Sequence, residues 1–467
     1  MTQTNYSHIP YLPHTEEERQ EMLKAIGVRS FEQLVSHIPA DVRAQQLELA
    51  PGLSELELCQ HVAGLAAKNN PASQQMSFLG GGSARRYVPA VVPSIISRSE
   101  FATAYTPYQP EVSQGSLQII YEFQTAVCLL TGMEVANASM YDGPTACAEA
   151  ALMAARLTNR TKVIACGATN PEYRMVTETY VKSCGLTYQE VAANSGAIAA
   201  NELQLDQDVA AVVVQYPNYF GCLTDVQAVA DVCHKNGALL VVVSEPISLG
   251  LLKPPGDFGA DIVVGDAQPC GNFLSFGGPS AGYMACRKDF VRQLPGRLAG
   301  MTVDNRGNRA FTLTLQTREQ HIRRAKATSN ICTNQALNAL AMLVYLTMIG
   351  PQGLKQLASI SLNRAHYLAD RLSEIAGVQV LFQQPFFNEF VISLNRPVND
   401  VLERLQQRGI IGGINLSRFY PQLKNALLVA VTETNSAGEL DAYAKELKLV
   451  LSEKEGERES ELRLSTV

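Results

Sequence analysis

The chain has 467 residues, 46% hydrophobic and 18% charged, with a formal charge of −6. That length suits two or three domains with a substantial core, and the lack of a long basic block excludes nucleic acid as an expected partner. The ten cysteines form no C-x-x-C pair and the seven histidines fall in no metal spacing, so the expectation is buried reduced thiols, no metal and a cytoplasmic protein. The N-terminus lacks the apolar core of a signal peptide, and no apolar run suggests a membrane span.

Residues 1–70 are predicted to form a helical arm. Thr15 with Glu18, Ser30 with Gln33 and Ser54 with Glu57 each have the spacing of a capping box ahead of a helical run. From about residue 71 to 115 the chain is rich in glycine, proline and tyrosine, too irregular for a helix and too long for a plain connection, which marks it as a functional loop. Apolar strand-like runs then alternate with helices: "KVIAC", "VAAVVVQYP", "GALLVVVS", "ADIVVG" and "AGYMAC". This is the pattern of a mostly parallel sheet covered on both faces, assigned to residues 71–330. The stretch "REQHIRRAKATSNICTNQALNALAMLVYLTMIG" reads as one long helical transition and "GLKQLASISLNRAHYLADRLSEIAG" as a second helix. Residues 331–450 mix helices with strands into a smaller α+β domain, and 451–467 form a charged tail.

Several motifs carry chemistry or its absence. "DGPTACAEAA" (142–151) opens a helix whose first amides suit an anion, or are simply well capped. "VVVQYPNYFGCLTD" (212–225) ends a buried strand in Pro217-Asn218, a pattern common in fold-type I pyridoxal phosphate (PLP) enzymes. The next strand ends in Ser244-Glu245, where that fold places an aspartate against the pyridine nitrogen. Between Pro254 and Arg287 there is no lysine, so no Schiff base can form in the expected loop. "SARRYVPAVV" sets Arg85 and Arg86 beside Tyr87, either as carboxylate grips or as solvated loop residues. "AYTPYQPE" spaces Tyr105 and Tyr108 to wall a small dry pocket or to pack a loop, and "RRAKATSNIC" concentrates cations before the long helix.

Together "YTPYQPEVSQG", "YDGPTACAEAALMA", "FGGPSAGYMACR" and "KATSNICTNQAL" closely resemble the glycine cleavage system P-proteins, in particular the alpha subunit of two-chain glycine dehydrogenase (decarboxylating). The resemblance runs from about Ile9 to Glu446. It implies an aspartate-aminotransferase-like, fold-type I α/β domain with a smaller α+β C-terminal domain. It also implies an α2β2 assembly in which the beta subunit alone binds PLP covalently. Glycine is decarboxylated there, CO2 leaves, and the aminomethyl group passes to the lipoyl group of H-protein. In such alpha subunits a "GDxQP" stretch replaces the lysine loop, matched by Asp266, Gln268 and Pro269. Ser244, Glu245 and Gln268 then form a degenerate cofactor slot. No catalytic residue is expected in this chain alone; Tyr87, Tyr105, Tyr108 and Arg85 are the candidates to line a pocket shared with the partner. Ala84 and Ala325 depart from the residues expected in their segments. The alternative reading is an inert scaffold that stabilises the beta subunit and docks H-protein.

Overall fold

A computed structural model describes residues 13–43, 50–71, 74–331 and 333–453. The C-terminal part of the expected tail, residues 454–467, and Cys332 lie outside them. The chain divides into two compact units, Met1–Asn69 and Asn70–Val467.

In the first unit the capping signals act where the sequence places them. Thr15 Oγ1 accepts from Glu18 N while Glu18 Oε2 accepts from Thr15 N, starting the helix Glu16–Ile26. Gly27, in the left-handed region at φ 87°, ends it. Ser54 and Glu57 repeat the reciprocal pair ahead of Glu55–Ala66. At Ser30 only half of it forms, because Gln33 Oε1 accepts from Arg29 N instead.

The second unit is built on a seven-stranded sheet. Its order is Val135–Ala136, Gly282–Cys286, Ile262–Asp266, Leu239–Ser244, Val209–Tyr216, Lys162–Cys166 and Thr187–Val191. The last five pair in parallel, and Gly282–Cys286 is antiparallel to both its neighbours. The central strands are buried on both faces, which explains their unbroken Val/Ile/Ala runs. One face packs on the helix Gly143–Thr158, whose Ala146, Ala150 and Ala154 let it lie close to Val213, Val241 and Val264. The other carries Phe123, Val229 and Met342.

A four-stranded antiparallel sheet, Val378–Val380, Glu389–Leu394, Ala426–Ala430 and Ile414–Asn415, forms the C-terminal layer. It packs with the helices Val398–Gln407 and Ala437–Ser452 around Phe390, Leu427 and Tyr443. A segment from far upstream completes it. Met76–Ser77 pairs in parallel with Ile410–Ile411, Phe78 O accepts from Ala430 N at 3.0 Å, and the Phe78 ring lies 4.3 Å from that of Tyr443.

Three expectations change. The irregular stretch contains two short helices, Val91–Ile96 and Ser99–Ala102. The long helical transition is not one helix. Residues 320–331 make short turns, with Arg324 at φ 52°, and the helix proper begins at Ala336, after a run of Thr, Ser and Asn side chains that compete for backbone hydrogen bonds. That helix and the next abut within Ala336–Ser373, broken at Gly350 (φ 59°) just before Pro351. This segment is also long and apolar enough, by length and composition, to cross a membrane, but Leu340, Met342, Tyr345, Leu368 and Leu372 are buried in the cores.

Candidate functional site

At the carboxyl ends of the parallel strands, where open α/β sheets bind ligands, a cavity of about 60 Å³ is lined by Gly82, Ser83, Ala84 and Arg86 of one loop with Tyr173, Gln215, Ser244, Glu245, Asp266, Pro269 and Glu389. Its position follows from the fold, but its contents differ from those of a coenzyme site in three ways.

The helix Gly143–Thr158 points its N-terminus at the cavity wall. Asp142 caps it, Oδ1 accepting from Thr145 N at 2.7 Å. The remaining amide end is met by the chain's own carboxylate: Asp266 Oδ2 accepts from Gly143 N at 3.0 Å, while Oδ1 accepts from Gln268 N and from Ser280 Oγ. Burial pushes the Asp266 carboxyl above its ordinary range, opposed by these donors. Gly143 has no room for a side chain, since a Cβ would lie 1.8 Å from the Tyr173 hydroxyl. The anion position of this helix is thus filled by Asp266.

Behind it, Ser244 ends its strand against Tyr283. The two hydroxyls are 2.8 Å apart, and the Tyr283 hydroxyl donates to Ser244 O at 2.6 Å. Tyr283 is fully buried and closes the space behind the slot. Gln268, in the lysine loop, reaches across instead of offering an amine. Its Oε1 accepts from Ala84 N and its Nε2 donates to Ala84 O, both at 3.3 Å, and Nε2 also donates to Asn272 O. Ala84 therefore contributes its backbone here, as the clasped residue of the glycine-rich loop.

The third feature is a charge cluster. Arg86, with 2% of its side chain exposed, donates from Nη1 to Glu433 Oε2 at 2.7 Å and to Ser361 Oγ at 3.0 Å, and its Nη2 lies 3.7 Å from Glu245 Oε1. Glu245 Oε2 accepts from Ser248 N at 2.6 Å. Burial raises the Glu245 carboxyl, with Arg86 opposing. Glu389 Oε1 accepts from Gly81 N at 2.7 Å, and burial pushes its carboxyl up to about 7. Gly221 lets the chain pass this point. It sits at φ 82°, and a Cβ there would lie 1.8 Å from Glu389 O.

Pyridoxal phosphate does not fit these residues. The amine is missing, the helix amide end is taken by Asp266, the slot is backed by Tyr283, and about 60 Å³ is far below the roughly 300–1,000 Å³ of usual ligand pockets.

The tyrosine and arginine candidates are not brought together. Arg85 turns away from the cavity, with Nε donating to Thr434 Oγ1, Nη1 to Gln75 O and Nη2 3.7 Å from Glu439. The inward residue is Arg86. Tyr87 N donates to Glu433 Oε1, and its ring is exposed. Tyr105, 89% exposed, borders a separate cavity of about 160 Å³ with Phe101, Pro107, Ile120, Leu337 and Leu340. Tyr108 accepts from Arg297 Nη2 at 3.3 Å and meets the His321 ring edge-on. Ala325 lies in an exposed turn. Glu389 and Glu433 were missed in the sequence because nothing local distinguishes a carboxylate at a strand end. The one available signal was that each adjoins an apolar strand of the C-terminal sheet. Among the described residues no group of His, Cys, Asp and Glu could hold a metal ion.

The family model of glycine cleavage system P-proteins matches residues 9–447. The chain is 53% identical over 440 residues to the probable glycine dehydrogenase (decarboxylating) subunit 1 of Geobacillus kaustophilus, covering 94% of this chain and 98% of that protein. The corresponding protein of Anoxybacillus flavithermus is 51% identical over the same coverage. A crystal structure of glycine decarboxylase (P-protein) of the glycine cleavage system, in inhibitor-bound form, superposes with a TM-score of 0.89 at 46% identity, over 94% of this chain and all of that one. A sphingosine-1-phosphate lyase of Burkholderia pseudomallei shares the fold alone, at 13% identity and a TM-score of 0.63 over 91% of this chain and 97% of that one. The fold is that of the type I PLP-dependent enzymes, and the chain belongs to the glycine cleavage system P-protein family.

Proposed function

We propose that the chain is the alpha subunit of a two-chain glycine dehydrogenase (decarboxylating). In this reading a PLP-bearing beta subunit decarboxylates glycine in an α2β2 assembly and H-protein accepts the aminomethyl group on its lipoyl arm. The observation that carries the division of labour is the filled slot: Asp266 at the helix amides, Tyr283 behind Ser244, and Gln268 where an amine would stand. A chain with these contacts needs a partner to supply the coenzyme. Buried, unpaired thiols such as Cys147, Cys233 and Cys270 support a reducing, cytoplasmic setting.

Its own contribution is structural and protective. The exposed loop of Tyr105, with the apolar cavity beside it, is the surface we assign to the partner's pocket, where excluding water guards a carbanion from stray protonation. Arg85 serves as a brace to the C-terminal layer.

The test follows exchange of labelled bicarbonate into glycine with this chain, its beta partner, PLP and lipoylated H-protein, against each chain alone. Exchange in the mixture only is the expected result. Exchange by this chain alone would overturn the reading. The inert-scaffold alternative predicts that loop variants lose activity only in proportion to lost assembly.

A further inference from the structure

The cavity at the strand ends keeps polar features that a merely filled slot does not need. Two polar atoms of its lining residues make no hydrogen bond: Arg86 Nε and Glu245 Oε1. One is a cationic donor on a side chain 2% exposed, the other an anionic acceptor. Glu245 Oε1 is opposed only by the charge of Arg86 Nη2 at 3.7 Å, and leaving the Nε donor without an acceptor is costly. A third group, the Glu389 carboxylate, lines the same space and feels the Glu245 charge. Glu245, Glu433 and Glu389 share this one guanidinium, so carboxyl groups outnumber cations beside a donor that is still unused.

We propose that this cavity binds a small α-amino acid zwitterion, of glycine's size, with the ammonium on Glu245 and Glu389 and the carboxylate drawn to Arg86. Size supports this. At about 10–15 Å³ for each water-sized group, about 60 Å³ holds roughly four to six non-hydrogen groups, and glycine has about five. Both atoms are covered, so entry requires Glu245 to leave Arg86 Nη2 and turn Oε1 toward the ligand, which frees that edge of the guanidinium for the ligand's carboxylate. Its side chain keeps a quarter of its surface exposed and is held at Oε2 by one backbone donor. The choice of glycine among small zwitterions rests on the proposed function. The site itself would make this chain a second glycine-binding position, separate from the coenzyme.

The experiment uses the full chain without its partner and without PLP, so no coenzyme site contributes. Glycine, methylammonium, acetate and leucine are titrated at constant ionic strength, followed by calorimetry and by thermal unfolding. The expected result is saturable glycine binding with a raised melting temperature. Methylammonium and acetate should bind at least about tenfold more weakly, each lacking one charge-assisted contact, and leucine should not bind. Glu245→Gln and, independently, Glu389→Gln should each weaken glycine about tenfold; if either variant fails to fold, the other and the ligand series decide. A glycine response no larger than that of acetate or methylammonium, or one unchanged in a folded variant, overturns the proposal. Because the bicarbonate exchange assay reads the assembled enzyme, normal exchange without glycine binding here would sink this inference and leave the proposed function standing.

Discussion

Replacing Arg86 with methionine tests whether the charge cluster organises the cavity. The substitution keeps an apolar stem of similar length and removes the guanidinium from Glu433, Ser361 and Glu245. Glu433 has 7% of its side chain exposed, so water cannot replace the lost partner. Breaking a buried pair on one side costs about 3–5 kcal/mol, against about 0–1 kcal/mol for an exposed pair. The loss should depend on pH in a defined sense. Burial already holds the Glu245 carboxyl above its ordinary range with Arg86 opposing. Without Arg86 it rises further in the folded state, while the unfolded value stays put. A folded value above the unfolded one means stability present at low pH and lost as pH rises through the folded value. The gap between wild type and R86M should therefore widen from pH 5 to pH 8. Urea midpoints across that range, with R86M, Glu433→Gln and the double variant, give the assay. The double variant should recover roughly 1–3 kcal/mol relative to the sum of the singles. A loss below about 1 kcal/mol at pH 8, or additive singles, would refute the idea that Arg86 is the hub.

Glu389→Gln should stabilise the chain above pH 7, since Gln keeps the acceptor for Gly81 N and removes a carboxylate that burial pushes from 4.5 to about 7. The gain is at most about 3 kcal/mol, absent below pH 4.5, and read from the same midpoints. Asp266→Ala should lower stability by roughly 1–3 kcal/mol and expose the amide end of Gly143–Thr158, so inorganic phosphate should raise the melting temperature of the variant but not of the wild type. Tyr105→Ala, at a position 89% exposed, should leave chain stability within about 0.5 kcal/mol yet lower bicarbonate exchange in the assembled enzyme; unchanged exchange with normal assembly would remove this loop from the partner's pocket.

The sheet was legible because its strands are buried on both faces, and unbroken runs such as "VAAVVVQY" and "LLVVVS" have few other uses. The missing lysine was legible as well. What replaced it was not. Asp266 reads as the end of a strand, and only the packed fold sets it against Gly143, 123 positions away. Arg85 and Arg86 are equivalent in the sequence, and the turn of the chain between Gly82 and Tyr87 decides which faces inward. The Leu298–Val303 and Arg309–Thr314 hairpin also went unread, because its first strand runs from buried Leu298 and Ala299 to three successive exposed residues, Met301 to Val303, with no period of two to mark it.

The parallel pairing of Met76–Ser77 with Ile410–Ile411, continued by Arg86 on Glu433, imposes a schedule on synthesis. Arg86 leaves the ribosome 347 residues ahead of its carboxylate. At about 5–20 residues per second that is roughly 20–70 s, during which Phe78 and the neighbouring strand edge have no partner. The C-terminal layer cannot close until the last hundred residues arrive, so the segment that seals the cavity is made early and put in place late. A nascent chain paused before Ile410 should display Phe78 to chaperones, and one released after Ser452 should not.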